Sequence, residues 1–125
     1  MVGKAKKAQF PNRKISETFL DFSAPLLESL GKDVTKYKVE TVLRIAFTAW
    51  NSVVIDTVKG NTKYVDQLRN LTRDDPMTAA LMEQMISRKQ DMFSDDQRMI
   101  GEYKLVQKRG QWRIWAEARD PSTKD

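Results

Sequence analysis

The chain has 125 residues, of which 40% are apolar and 31% charged, and it contains no cysteine and no histidine. Its length and balance are typical of one folded domain with a single hydrophobic core. The missing residue types exclude disulfide bonds, the usual zinc sites and the commonest pairs of nucleophile and general base. No apolar run approaches the roughly 20 residues of a membrane span, and the N-terminus lacks the apolar stretch of a secretory signal. We therefore expect a cytoplasmic protein that does not contact a membrane.

The net charge of +5 is concentrated at the N-terminus. The first fourteen positions hold five basic residues and no acidic one: Lys4, Lys6, Lys7, Arg13 and Lys14. The other 17 basic residues equal the 17 acidic ones in number. We predict a disordered basic tail over residues 1–14, a single domain over 15–120 and a frayed end over 121–125. The tail could contact phosphates or an acidic partner, whereas the neutral folded body is not expected to bind nucleic acid.

Two helices are predicted after the tail. Ser16 is a suitable N-cap for the first, and Pro25 should kink or divide it because proline has no N–H to donate. Gly31 is placed to end this helix. The second helix runs from about residue 36 to 59, and its broad apolar face at helical spacing predicts that it is the central helix of the core.

Two further helices follow. The third is short, spans about residues 62–71 and is capped by Asn61 or Thr62. The fourth has a strong start signal, since Asp75 can cap it and Pro76 occupies the first helical position, where its missing N–H costs nothing.

The pattern changes after Arg98. Residues 99–108 and 111–119 alternate with a period of two on either side of Arg109 and Gly110, which is typical of a β-hairpin. These elements predict an α+β fold: about four helices, the first divided at Pro25, followed by a C-terminal two-stranded antiparallel hairpin.

The register of the hairpin follows from its faces. If Lys108 pairs with Gln111, one face is uniformly apolar and Gly101 lies opposite Ala118, whereas a slip by one residue mixes the two faces. Arg109 disfavours the positive φ of a type I′ turn, so a bulged turn is the alternative at the tip.

The opposite face of the hairpin is a candidate interaction surface, formed by Glu102, Lys104, Arg113, Trp115 and Glu117. Trp115 is either covered by the stems of its basic neighbours through a cation–π contact or exposed as an anchor for a protein partner. A base-stacking platform is disfavoured by the two glutamates.

Other polar residues have mainly structural interpretations. The acidic pairs at 74–75 and 95–96 could bind a hard cation, but a helix cap and a polar link explain them better. Asn51 and Asp56 form a candidate buried polar site, where a carboxylate could serve as a general base or bind a small ligand. The interpretation that we favour for Asp56 is a bond to a neighbouring loop. No catalytic residue, metal ligand or cofactor is predicted.

Two stretches carry a resemblance: IAFTAWNSVVIDTVKG, from Ile45 to Gly60, and ISRKQDMFSDDQRMIGEYKL, from Ile86 to Leu105. They resemble a family of small uncharacterised bacterial proteins that form a domain of unknown function. The resemblance implies a bacterial cytoplasmic origin and no particular activity. From the residues themselves we expect a non-enzymatic protein-interaction module whose partner is either a second copy, in a homodimer, or another protein. The alternatives are an accessory protein that binds nucleic acid through the tail and a small-ligand-binding domain.

Overall fold

A computed structural model describes residues 14–32 and 34–121, and it confirms the α+β class. The predicted tail, apart from Lys14, and the predicted frayed end, apart from Pro121, lie outside the described residues. The elements are α1 (Ile15–Ser29), α2 (Lys36–Lys59), α3 (Lys63–Thr72), α4 (Pro76–Met92), β1 (Met99–Lys108) and β2 (Gln111–Arg119). No helix of the described residues combines the length and the apolar character needed to cross a membrane.

Helix α2 is the central helix, as its apolar pattern predicts. It packs against the other three helices and against β1. Its Trp50 is fully buried and contacts the ring of Phe22 from α1 edge-on, with the ring centroids 5.1 Å apart. Thr35 caps the start of α2, and Gly60 ends it at a φ of 73°, a left-handed conformation that glycine adopts without steric cost.

Helix α1 runs through Pro25 without a break, so the predicted division is wrong. Because Pro25 has no N–H, the carbonyl of Asp21 four residues earlier loses its partner in the helix. The guanidinium of Arg88 replaces it: Nη2 donates to the Asp21 carbonyl at 2.9 Å, and Nε donates to the Phe22 carbonyl at 3.0 Å. A side chain of α4 therefore satisfies the carbonyl group that the proline exposes.

The start of α1 also differs from the prediction. Lys14, which is exposed, occupies the N-cap position and makes no side-chain cap bond, while Ser16 lies inside the helix. The Ser16 hydroxyl accepts from the N–H of Ala116 at 2.7 Å and donates to its carbonyl at 3.2 Å. Ser16 is not a cap, because strand β2 takes up its hydrogen-bonding capacity. The cap predicted for α4 is confirmed, since Asp75 accepts from the N–H and the hydroxyl of Thr78.

The predicted hairpin register is confirmed for the pairs between the turn and Glu102, and it shifts between Glu102 and the start of β1. Lys108 pairs with Gln111, but Ile100, not Gly101, lies opposite Ala118, and a bulge separates Ile100 from Glu102. The predicted pairing of Gly101 with Ala118 is wrong because Gly101 is the extra residue of the bulge. The bulge turns the side chain of Ile100 into the core, where it is 1% exposed.

The two-residue turn has positive φ at both positions, 53° at Arg109 and 77° at Gly110, as a type I′ turn requires. The alternative of a bulged turn is therefore wrong, and Arg109 adopts the left-handed conformation in spite of its side chain. The apolar face of the hairpin packs on α1 and α2, where the ring of Tyr103 lies 5.3 Å from Phe19 and 5.2 Å from Phe47 between centroids.

Candidate interaction surface

The outer face of the hairpin carries all five residues of the predicted surface, and each of them is exposed: Glu102, Lys104, Arg113, Trp115 and Glu117. The register places Lys104 opposite Trp115 and Glu102 opposite Glu117. The Lys104 Nζ lies 5.6 Å from the centroid of the Trp115 ring, whose residue is still 46% exposed. The ring thus has a cation–π neighbour but is not covered by it, and its role as an anchor for a protein partner stays a prediction.

Side chains of two helices close both edges of the hairpin at its base. On β2, Ser16 bonds the N–H and the carbonyl of Ala116. On β1, the Asn51 amide donates to the Ile100 carbonyl at 2.9 Å and accepts from its N–H at 2.8 Å. Each side chain supplies the donor and the acceptor that a neighbouring strand would supply, so the base is not open to another strand.

The edge of β1 is open beyond this base. In an antiparallel pair, alternate residues direct their N–H and C=O away from the partner strand. With Lys108 bonded to Gln111 beside the two-residue turn, the outward-directed residues of β1 are Tyr103, Leu105 and Gln107. No side chain of the described residues bonds to their main-chain groups.

A groove of 490 Å³ lies along this open edge. It is lined by Glu40, Arg44, Tyr103, Lys104, Leu105 and Val106. Burial raises the pKa of the Tyr103 phenol above its ordinary value, with the Arg44 charge opposing the shift and the Glu40 charge adding to it. The phenol therefore stays neutral at physiological pH, and one wall of the groove carries one charge of each sign.

The candidate polar site at Asn51 and Asp56 is divided between two structural tasks. Asn51 binds β1, whereas Asp56 is 5% exposed and accepts from the N–H of Tyr64 at 3.0 Å and of Val65 at 2.9 Å. Asp56 thus caps α3 from the preceding helix. Of the two predicted cap residues, Thr62 makes no side-chain cap bond, whereas the Asn61 side chain accepts from the N–H of Lys63, the first residue of α3, at 3.1 Å. We expected Asp56 to bond to a neighbouring loop; its partners are instead two N–H groups in the first turn of α3.

A buried lysine is the feature that sequence reasoning missed. Lys89 is 1% exposed, and its Nζ donates to the carbonyls of Phe93 at 2.6 Å and Asp96 at 2.8 Å. The Nζ also lies 4.4 Å from the centroid of the Trp50 ring. Burial lowers the pKa of Lys89 from 10.5 to about 8, against the charges of Asp96 and Asp95. The sequence does contain a signal, since Lys89 falls on the apolar stripe of α4.

The loop between α4 and β1 is organised around this lysine. The Asp96 carboxylate is buried and pairs with the Arg98 guanidinium at 2.6 Å, and it also accepts from the Arg98 N–H. The Trp50 indole donates to the Arg98 carbonyl at 2.7 Å. Asp96 and Lys89 are therefore used to hold the loop. Within the described residues no group of three or more acidic side chains is placed to hold a metal ion.

Comparisons with protein-family models, with curated proteins and with solved structures find no significant match. The resemblance to small uncharacterised bacterial proteins stays a prediction.

Proposed function

We propose that the protein is a non-enzymatic protein-interaction module that forms a homodimer by joining β1 of two copies at their open edges. The supporting observation is that some outward main-chain groups of β1 are bonded by a side chain and others are not. Asn51 closes the edge of β1 at Ile100, whereas the outward groups of Tyr103, Leu105 and Gln107 border a groove. Unpaired strand edges are templates for a further strand, and a two-fold axis makes such pairing reciprocal.

Charge complementarity favours a particular register. With the two-fold axis at Leu105, the two β1 strands run antiparallel, and residues whose numbers add to 210 lie opposite one another. Glu102 then faces Lys108 of the second copy, and Lys104 faces Val106 of the second copy. Each dimer has two such Glu–Lys pairs. In the single hairpin, by contrast, Glu102 lies opposite Glu117, so dimerisation supplies an opposite charge where the monomer has a like one.

The buried ionisable groups support a non-enzymatic role, because each has a structural partner. Asp56 caps α3, Asp96 holds Arg98, and Lys89 binds two carbonyls. These bonds use the groups that a catalytic site would need to leave available to a substrate.

Light scattering of the full chain over a concentration series tests the proposal. We expect twice the monomer mass of 14.5 kDa at high concentration. Gln107→Pro removes an outward N–H from the edge without removing a bond to β2, so it should shift the chain towards the monomer. Gln107→Ala is the matched control and should dimerise as the wild type does.

Two results would contradict the edge as the interface. One is a monomer at every concentration; the other is a dimer that Gln107→Pro leaves intact but Trp115→Lys dissociates. The second result would place the interface on the outer face of the hairpin. Circular dichroism of each variant establishes that the fold is retained.

A further inference from the structure

The distal part of the hairpin, its two thirds nearest the turn, carries charges of one sign only. Residues 103–116 include four basic residues and no acidic one: Lys104, Lys108, Arg109 and Arg113. The two glutamates of the hairpin, Glu102 and Glu117, lie opposite each other, one outward-facing pair farther from the turn than Lys104 and Trp115. They border the outer face only at the end away from the turn, so they disfavour a base-stacking platform at that end and not at the tip. The overall neutrality of the folded body thus conceals a positive surface at one end.

These four cations differ from the arginines of the helices. Arg69 pairs with Glu83 at 2.6 Å, and Arg88 lies near Asp21 at 3.9 Å. Within residues 14–32 and 34–121, none of the four distal cations forms an ion pair. Three of them line a polar concavity of 360 Å³ at the tip, together with Gln111. Their charge is therefore available to an anionic ligand.

An exposed aromatic ring lies among these cations. Trp115 is 46% exposed, has the Lys104 ammonium 5.6 Å from its ring centroid, and shares the outer face with Arg113. An aromatic ring beside cations that follow a strand is the arrangement by which proteins stack a base and neutralise the adjacent phosphates. An acidic peptide would form ion pairs with the cations, but its carboxylates do not stack on the Trp115 ring.

We propose that the outer face of the distal hairpin binds single-stranded nucleic acid, with a base stacked on Trp115 and phosphates at Lys104, Arg113 and the concavity at the tip. The inference goes beyond self-association and does not depend on it, since one hairpin carries all of these groups. In the proposed dimer Lys108 faces Glu102 of the second copy. The other three cations, Lys104, Arg109 and Arg113, stay available to phosphates. Joining two copies at β1 leaves the outer face uncovered.

Fluorescence anisotropy of a labelled oligothymidylate with the full chain tests this inference. If four cations contact phosphates, log K falls with log salt concentration at a slope of about −3. Trp115→Ala should weaken binding by about tenfold or more, and Arg113→Ala should reduce the slope by about 0.7. Tyr37→Ala is the matched control, because Tyr37 is a 78% exposed aromatic residue between two lysines on α2, and binding should not change.

Three results would overturn the inference. Undetectable binding at low salt is one. A second is that Trp115→Ala and Arg113→Ala both keep the wild-type affinity and the wild-type salt slope. That result would assign binding to the basic tail. A labelled oligoglutamate that binds more tightly than oligothymidylate would assign the surface to an acidic protein. None of these results bears on the mass measured by light scattering, so this inference and the homodimer can fail separately.

Discussion

The guanidinium of Arg88 should be coupled energetically to Pro25, although the two residues lie on different helices. Arg88 donates one hydrogen bond to the carbonyl that Pro25 leaves without a partner and a second to the next carbonyl. Hydrogen bonds that involve a charged group contribute about 1.5–3 kcal/mol, and Arg88 is only 18% exposed. We expect Arg88→Ala to lower the free energy of unfolding by about 3 kcal/mol.

Replacing the proline should reduce this cost. Pro25→Ala restores an N–H four residues after Asp21, so the Asp21 carbonyl regains a partner within α1. In the Pro25→Ala background, Arg88→Ala should then cost about 1 kcal/mol less than in the wild type. The difference is the coupling energy of a double-mutant cycle, measured by urea denaturation followed by circular dichroism.

Arg69 provides the matched control for this cycle. Its ion pair with Glu83 lies on the surface, with both side chains about half exposed, and Arg69→Ala should cost no more than about 1 kcal/mol. It should show no coupling to Pro25→Ala. A coupling energy between Arg88 and Pro25 within about 0.3 kcal/mol of zero would refute the argument that Arg88 replaces the missing helical bond.

Three other substitutions test the remaining structural arguments. Lys89 has a pKa of about 8 in the folded protein and about 10.5 in the unfolded chain, so between these pH values the unfolded state binds more protons and the free energy of unfolding rises with pH. Relative to Lys89→Met, the wild type should gain up to about 3 kcal/mol of stability between pH 8 and 10.5 in urea melts. Parallel pH profiles of the two proteins would contradict this. Asp56→Ala leaves two N–H groups of α3 without an acceptor and should cost about 2 kcal/mol in the same assay, whereas an unchanged midpoint would exclude Asp56 as the cap. Arg109→Asn relieves a positive φ at the turn and should raise the free energy of unfolding by about 0.5 kcal/mol, and a lower value would mean that the Arg109 side chain stabilises the tip.

The elements that local chemistry determines could be predicted from the sequence. The apolar stripe of α2, the start of α4 at Asp75 and Pro76, and the pairing of Lys108 with Gln111 all depend on residues close together in the chain. The same alternation assigned the five residues of the candidate surface to one face of the hairpin. Period-two patterns identify a face because successive side chains of a strand point to opposite sides.

The features that were missed depend on residues far apart in the chain. Pro25 does not divide α1 because Arg88 supplies the donor, and Ser16 does not cap α1 because Ala116 binds its hydroxyl. Neither partner can be inferred from a window of neighbouring residues. The extent of the open edge of β1 likewise could not be predicted from the sequence, since its limits depend on where Asn51 reaches the strand.

The bond between Ser16 and Ala116 has a consequence for the order of folding during synthesis. It joins α1 to β2 across 100 residues, and the ring of Phe19 rests against Tyr103 on β1. A ribosome releases the N-terminal helix long before it has made the hairpin. A nascent chain that ends before residue 99 therefore leaves Phe19 and its neighbours on α1 without the sheet that covers them. We expect the domain to complete its core only after both strands have emerged, in a step that depends on contacts of high sequence separation.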